Sequence, residues 1–112
     1  MSIASETPVL DTIAAMTVDS LERCGLSPDT LILTRIAALA ASDAPPISYL
    51  AHIDPALRTG LTVEQLQDVL VAIAPIVGTA RVMTAAGNIA SALGVAIAVA
   101  EAEIEAEVEA GS

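Results

Sequence analysis

The core of this chain has to be built almost without aromatic side chains. Its 112 residues include one tyrosine, no phenylalanine and no tryptophan, although 54% of them are hydrophobic. The core must therefore consist of alanine, leucine, isoleucine and valine, and alanine and leucine are strong helix formers. This composition favours helices. So much apolar side chain on so small a body also predicts that part of it is buried between subunits.

Proline and glycine mark the starts and stops of the first two predicted helices. Thr7-Pro8 offers an N-cap followed by proline at the first helical position, and Gly25 is the expected stop. The lone cysteine, Cys24, ends the apolar stripe of this helix and is expected to be a small buried residue. Ser27-Pro28 repeats the start signal for a helix over about 28–41, which is apolar on nearly all sides and is therefore expected to be buried.

The third and fourth segments carry different signals. Pro46 can open a helix over about 46–58. Pro55 removes one backbone donor inside that helix, which predicts a kink there or a break at Asp54. Thr62 and Gln65 then have the form of a capping box at the start of an amphipathic fourth helix.

The last segment is expected to be a long helix that begins near Thr79 and runs to about 108. Its uncharged run, 82–100, is long enough to cross a bilayer, but its alanine and glycine content and the acid that follows favour a buried core or interface helix. The acidic stretch 101–112 is expected to be a tail or a helix extension. Its glutamates lie at the end of the helix where the dipole disfavours negative charge, which predicts fraying from about 105.

These signals together predict one all-α domain over residues 1–112, a compact bundle of about five to six helices. Residues 1–6 are expected to form a loose tail. Residues 101–109 alternate between glutamate and apolar residues in a strand-like pattern, but alanine and glutamate favour helix. No strand is therefore predicted, and no internal repeat is present.

Charge and cysteine content exclude several classes of function. The net charge is −10, with four arginines and no lysine, so nucleic acid and anionic membrane are poor partners. A single cysteine cannot form an intrachain disulfide or a Cys-x-x-Cys pair. One histidine and one cysteine supply no metal constellation, and no glycine-rich phosphate loop is present, so we expect no cofactor. The N-terminus shows no signal peptide, and a cytoplasmic location is expected.

The order of these segments resembles the carboxymuconolactone decarboxylase and alkylhydroperoxidase D-like family. An apolar helix ("LILTRIAALAA") is followed by a histidine-bearing helix ("ISYLAHIDPALRTGLT"), a capped amphipathic helix ("TVEQLQDVLVAIAPIVG") and a long alanine-rich helix ("TARVMTAAGNIASALG"). The resemblance covers about 28–95. It implies an alkylhydroperoxidase D-like bundle that assembles as a homotrimer or homohexamer.

The peroxidase branch of that family carries Cys-x-x-Cys-x-x-x-His at the start of its central helix. When the sequences are aligned on His52, the two cysteine positions fall on Pro45 and Ser48. The branch also uses an upstream glutamate, and the corresponding region here is Ile32–Leu33. A serine hydroxyl does not form disulfides, so peroxidase chemistry is not expected. The decarboxylase branch does not depend on a cysteine pair, and it acts on a small carboxylated lactone.

The candidate site is centred on His52. Ser48 and Tyr49 lie four and three residues before it, on the same helix face, where either could orient the imidazole. Histidine changes charge near neutral pH and serves as an acid or base. Arg35 or Arg81 could hold a substrate carboxylate.

Several alternatives stay open at this point. His52 can instead be a scaffold residue that is hydrogen-bonded inside the fold or at a subunit contact, and Arg35 can instead form a structural ion pair, for example with an acid from another subunit. The protein is then a non-redox member of the family that binds a small molecule, a cysteine-independent decarboxylase or lactone-type enzyme with His52 as acid/base, or a structural or interaction protein whose acidic tail contacts a partner. Whether it is an enzyme is left open.

Overall fold

The computed structural model describes residues 5–111. Over that range the chain forms five α-helices and no strand, which confirms the all-α prediction. The helices are α1 (Pro8–Arg23), α2 (Pro28–Ala41), α3 (Pro46–Arg58), α4 (Val63–Val77) and α5 (Thr79–Gly111). The predicted loose tail falls mostly on residues 1–4, which lie outside the described residues.

The capping box at the start of α4 is formed as predicted. The Thr62 hydroxyl accepts a hydrogen bond from the Gln65 backbone N–H at 3.1 Å, and the Gln65 side-chain oxygen accepts one from the Thr62 N–H at 2.9 Å. These two bonds satisfy backbone donors that the first turn of a helix leaves without partners. The start of α4, and with it the turn after α3, is therefore fixed by local chemistry.

The predicted break at Asp54 is wrong, because α3 runs without interruption from Pro46 to Arg58. Pro55 lies one turn from the helix end, so it removes one hydrogen bond and the helix ends soon afterwards. Ala51 and Pro55 are both exposed, and water can therefore reach the carbonyl of Ala51, which has lost its helical donor.

The core lies among α2, α3, α4 and α5. Tyr49, Ile36, Ile53 and Leu66 are its largest fully buried side chains. The helix α3 packs along α5, while α2 packs against α3, α4 and α5. The helix α2 is predicted to be buried on nearly all sides, but only one of its faces lies in the core. The opposite face, which carries Thr34, is exposed.

The first helix stands apart from this bundle. No residue of α1 is buried, and none of its Cα atoms comes within 8 Å of a Cα atom in another helix. Its apolar stripe therefore does not enter the core. A space remains between this stripe and α2 and α3.

The last helix continues to Gly111, so the predicted fraying from about 105 is not observed, and residues 101–111 of the acidic stretch are a helix extension. Alanine and glutamate both favour helix, and exposed glutamates repel each other only weakly in water. By length and composition α5 could cross a membrane. Within the bundle, however, it contributes four buried core residues: Ala85, Ile89, Ala92 and Ala96.

Candidate functional site

A cavity of about 390 Å³ lies between α1, α2 and α3. Its α1 side is formed by Ile13, Thr17 and Leu21, with Cys24 at the end of the helix. The opposite side consists mainly of apolar residues of α2 and α3, namely Leu31, Ile32, Ala51 and Pro55. Two basic side chains, Arg35 and His52, are also in the wall. The volume is within the range of small-molecule sites, roughly 300–1,000 Å³.

His52 is half-buried in the middle of α3. Its Nδ1 lies 2.9 Å from the carbonyl oxygen of Ser48, one turn earlier in the same helix. A carbonyl only accepts hydrogen bonds, so Nδ1 must carry the proton that is donated. In the neutral ring Nε2 then has a free lone pair, and in the imidazolium it is a second donor. The structure therefore fixes the ring through one nitrogen and leaves the other without a protein partner among residues 5–111.

Arg35 extends from α2 towards α1. Its Nη2 donates to the Ser20 hydroxyl at 3.0 Å and, at the limit of hydrogen-bond distance, to the Thr17 carbonyl oxygen at 3.5 Å. Over the described range the ion pairs are Asp19–Arg23 and Asp54–Arg58, and neither includes Arg35. The guanidinium charge thus has no carboxylate of residues 5–111 beside it.

A second hollow lies beside Arg35 and His52. This hollow of about 330 Å³ shares Ile13, Thr17, Arg35 and His52 with the first cavity, and it extends along α1 to Met16. Arg35 and His52 therefore line both hollows.

The structure brings only some of the predicted site residues together. Arg35 and His52 line the same cavity, and Ser48 contributes its backbone carbonyl rather than its hydroxyl. Tyr49 is fully buried in the core and lines neither of the two hollows beside His52. Arg81 is on α5, where its guanidinium donates to the carbonyl oxygen of Ala41.

The environment of Tyr49 does not suit acid–base chemistry. Its hydroxyl is buried without a hydrogen-bond partner. Burial, together with a smaller contribution from the Asp43 carboxylate, raises the pKa of this hydroxyl. The group therefore stays neutral well into the alkaline range.

Sequence reasoning missed the contribution of α1 to the site. The stripe of Ile13, Thr17, Leu21 and Cys24 has helical spacing, which indicates an apolar face but not what that face covers. In the structure this face forms one wall of the cavity.

The described residues contain no group of three or more His, Cys, Asp or Glu side chains that could hold a metal ion. A family model, that of the carboxymuconolactone decarboxylase family, matches residues 8–92.

The chain belongs to the carboxymuconolactone decarboxylase family. The matched region begins with α1 and ends within α5, so it includes all three helices around the cavity of this family member. No curated protein and no solved structure matches the chain.

Proposed function

We propose that this carboxymuconolactone decarboxylase family protein binds a small carboxylated molecule in the cavity between α1, α2 and α3, and that it does so without disulfide-based peroxidase chemistry. One observation carries the proposal. A largely apolar cavity contains an arginine with no carboxylate beside it and a histidine with one uncommitted nitrogen, within the described part of the chain.

The chemistry of the two basic groups favours a carboxylate. Arginine presents five N–H donors in a planar fork that matches a carboxylate, and here only Nη2 is engaged. A protonated His52 adds a donor at Nε2. The apolar wall would take the body of the ligand, since burial of apolar surface is favourable by about 25 cal/mol per Å².

The residues at the start of α3 support the absence of dithiol chemistry. Pro45 is the N-cap of α3 and Ser48 lies in its first turn, and neither side chain can form a disulfide. The lone Cys24 is at the end of α1, half-buried. A single thiol does not complete an intrachain dithiol–disulfide cycle.

A second candidate is a cysteine-independent decarboxylase or lactone-type enzyme. The observation that favours it is the orientation of His52, since a ring held through Nδ1 can accept or donate a proton at Nε2. In this reading His52 moves the proton and Arg35 positions the substrate carboxylate.

We also propose that the protein is a cytoplasmic homotrimer or homohexamer. Large apolar side chains are exposed on α4 and α5, and Ile76 is 89% exposed. Burial of these side chains between copies would explain an apolar surface of this size. Nucleic acid is not proposed as a partner, because the net charge is −10.

Calorimetric titration with cyclohexanecarboxylate tests the binding proposal. This probe has an apolar body, one carboxylate and no tendency to form micelles. The matched control is cyclohexylmethanol, which keeps the ring and removes the charge. We expect saturable binding of the acid. The alcohol should bind at least tenfold more weakly. If the two compounds bind equally, or if neither binds at millimolar concentration, the proposal fails.

A further inference from the structure

We infer that α1 is the movable wall of this cavity and that Arg35 couples its position to the occupancy of the site. In the empty site Arg35 holds α1 by hydrogen bonds. In the occupied site the same guanidinium bridges α1 and the ligand carboxylate, so the ligand keeps α1 closed. The ligand part of the inference rests on the proposed function, whereas the mobility of α1 does not.

The attachment of α1 to the bundle is weak. Every residue from Pro8 to Arg23 is exposed, and the Cα atoms of α1 stay more than 8 Å from those of the other helices. A segment with no buried side chain contributes little to global stability and opens more readily than the core. The described packing alone therefore leaves α1 free to move away from α2 and α3.

The hydrogen bonds between α1 and α2 in the described structure come from one side chain. Arg35 reaches the Ser20 hydroxyl and the Thr17 carbonyl oxygen through Nη2. Its Nη1 and Nε donors remain for another acceptor. One guanidinium can thus contact α1 and a carboxylate at the same time, which makes the binding of each favour the other.

The connection between α1 and α2 is suited to a hinge. Four residues, 24–27, join the two helices, and Gly25 is among them. A Cβ placed on Gly25 would meet no atom within 4 Å, so nothing packs tightly against the loop at this position. Short loops of this kind can absorb the backbone rotation that moves a helix as a unit.

The lone cysteine supplies a direct reporter of this motion. Cys24 is the only cysteine of the chain, it is half-buried, and it lies in the cavity wall at the hinge. Labelling by Ellman's reagent is then expected to require the opening of α1. Its rate measures how often the wall is open.

The first experiment compares the labelling rates of the wild type, Arg35→Gln and Arg58→Gln. Arg58 is the matched control, because it pairs at 2.9 Å with Asp54 on its own helix. We expect Arg35→Gln to label about tenfold faster, the size expected for losing a hydrogen bond to a charged group. Arg58→Gln should label at the wild-type rate. Arg35 lines the same cavity as Cys24. Loss of its positive charge weakens the attraction of the anionic reagent, so charge alone would slow the labelling.

Hydrogen exchange in the same variants separates local opening from general destabilisation. In Arg35→Gln the amides of α1 should exchange faster, while those of α4 keep their wild-type rates. If α4 accelerates equally, the substitution weakens the whole fold and the inference fails. If Arg35→Gln labels at or below the wild-type rate, Arg35 does not hold α1 and the inference also fails.

The ligand arm adds cyclohexanecarboxylate to the labelling reaction. We expect the probe to slow the labelling of the wild type, and to slow that of Arg35→Gln less. If calorimetry shows binding and the labelling rate does not change, the coupling is wrong. If the probe does not bind while Arg35→Gln still frees α1, the proposed function fails and the movable wall stands.

Discussion

The Nδ1 atom of His52 lies 2.9 Å from the main-chain carbonyl oxygen of Ser48. Because the acceptor is a backbone atom of the same helix, α3 itself sets the orientation of the imidazole. Nε2 is then left without a partner among the described residues, in the wall of a cavity that also contains Arg35. A histidine that is held by its own helix and open at one nitrogen is suited to recognising a polar group inside an apolar site.

The first prediction uses this geometry. His52→Ala should weaken the binding of cyclohexanecarboxylate about tenfold, because one charge-assisted hydrogen bond is lost. Ser48→Ala is the matched control, and it should bind like the wild type because the carbonyl that holds Nδ1 is unchanged. Calorimetric titration measures both affinities. Equal losses in the two variants would contradict the role assigned to the backbone carbonyl.

The second prediction concerns the buried hydroxyl of Tyr49. A buried polar group without a partner costs about 1–3 kcal/mol, so Tyr49→Phe should raise the free energy of unfolding by about 1 kcal/mol. Urea unfolding followed by circular dichroism measures the change. Ile53→Val, at another fully buried core position, is the comparison and should lower stability by about 1 kcal/mol. A loss of stability in Tyr49→Phe would show that the hydroxyl has a partner.

The third prediction follows from the raised pKa of Tyr49. The unfolded tyrosine ionises near its ordinary pKa of 10.0, whereas burial keeps the folded group protonated above that value. The part of the stability that depends on a protonated Tyr49 hydroxyl is therefore fully present below pH 10, and it is lost as the pH rises from there through the folded pKa. Urea midpoints between pH 8 and pH 11 should fall more steeply for the wild type than for Tyr49→Phe. Parallel curves for the two proteins would contradict this assignment.

The fourth prediction tests the capping box of α4. Thr62→Ala removes the hydroxyl that accepts from the Gln65 N–H, and it should cost about 1 kcal/mol of unfolding free energy. Thr84→Ala is the control, because Thr84 lies inside α5 and its hydroxyl bonds only to the carbonyl of Ala80 one turn earlier. That change should be neutral or slightly stabilising, since alanine is the better helix former. Equal effects of the two changes in urea unfolding would show that the cap is not a distinct stabilising feature.

The fifth prediction concerns assembly. Light scattering at micromolar concentration should give the mass of a trimer or a hexamer, because apolar side chains such as Ile76, 89% exposed, would otherwise face water. A monomer under these conditions would contradict the proposed homo-oligomer.

The helix boundaries could be predicted from the sequence because their causes are local. Pro8 and Pro28 stand at the first positions of α1 and α2, and Thr62 and Gln65 form their box within one turn. Such signals depend on residues within about four positions of each other. The effect of Pro55 was overestimated, because its cost depends on the exposure of the Ala51 carbonyl, which local sequence does not encode.

The candidate site could be predicted only in part. His52 and Arg35 were identified by residue type, and the structure places both in one cavity. Tyr49 and Arg81 have equally suitable chemistry, but packing places the first in the core and the second against the end of α2. The separation of α1 from the bundle, which creates the cavity, depends on tertiary placement. A helical stripe shows that a face is apolar, and the remainder of the fold decides what that face covers.

The most direct test of the binding site is the nitrogen spectrum of the single histidine. In protein labelled with ¹⁵N-histidine, the structure predicts that the neutral form of the ring carries its proton at Nδ1. Excess cyclohexanecarboxylate near neutral pH should then move both ring nitrogens towards imidazolium values, because a carboxylate stabilises the charged form. A ring protonated at Nε2 in the free protein, or a spectrum that the probe does not change, would contradict the account.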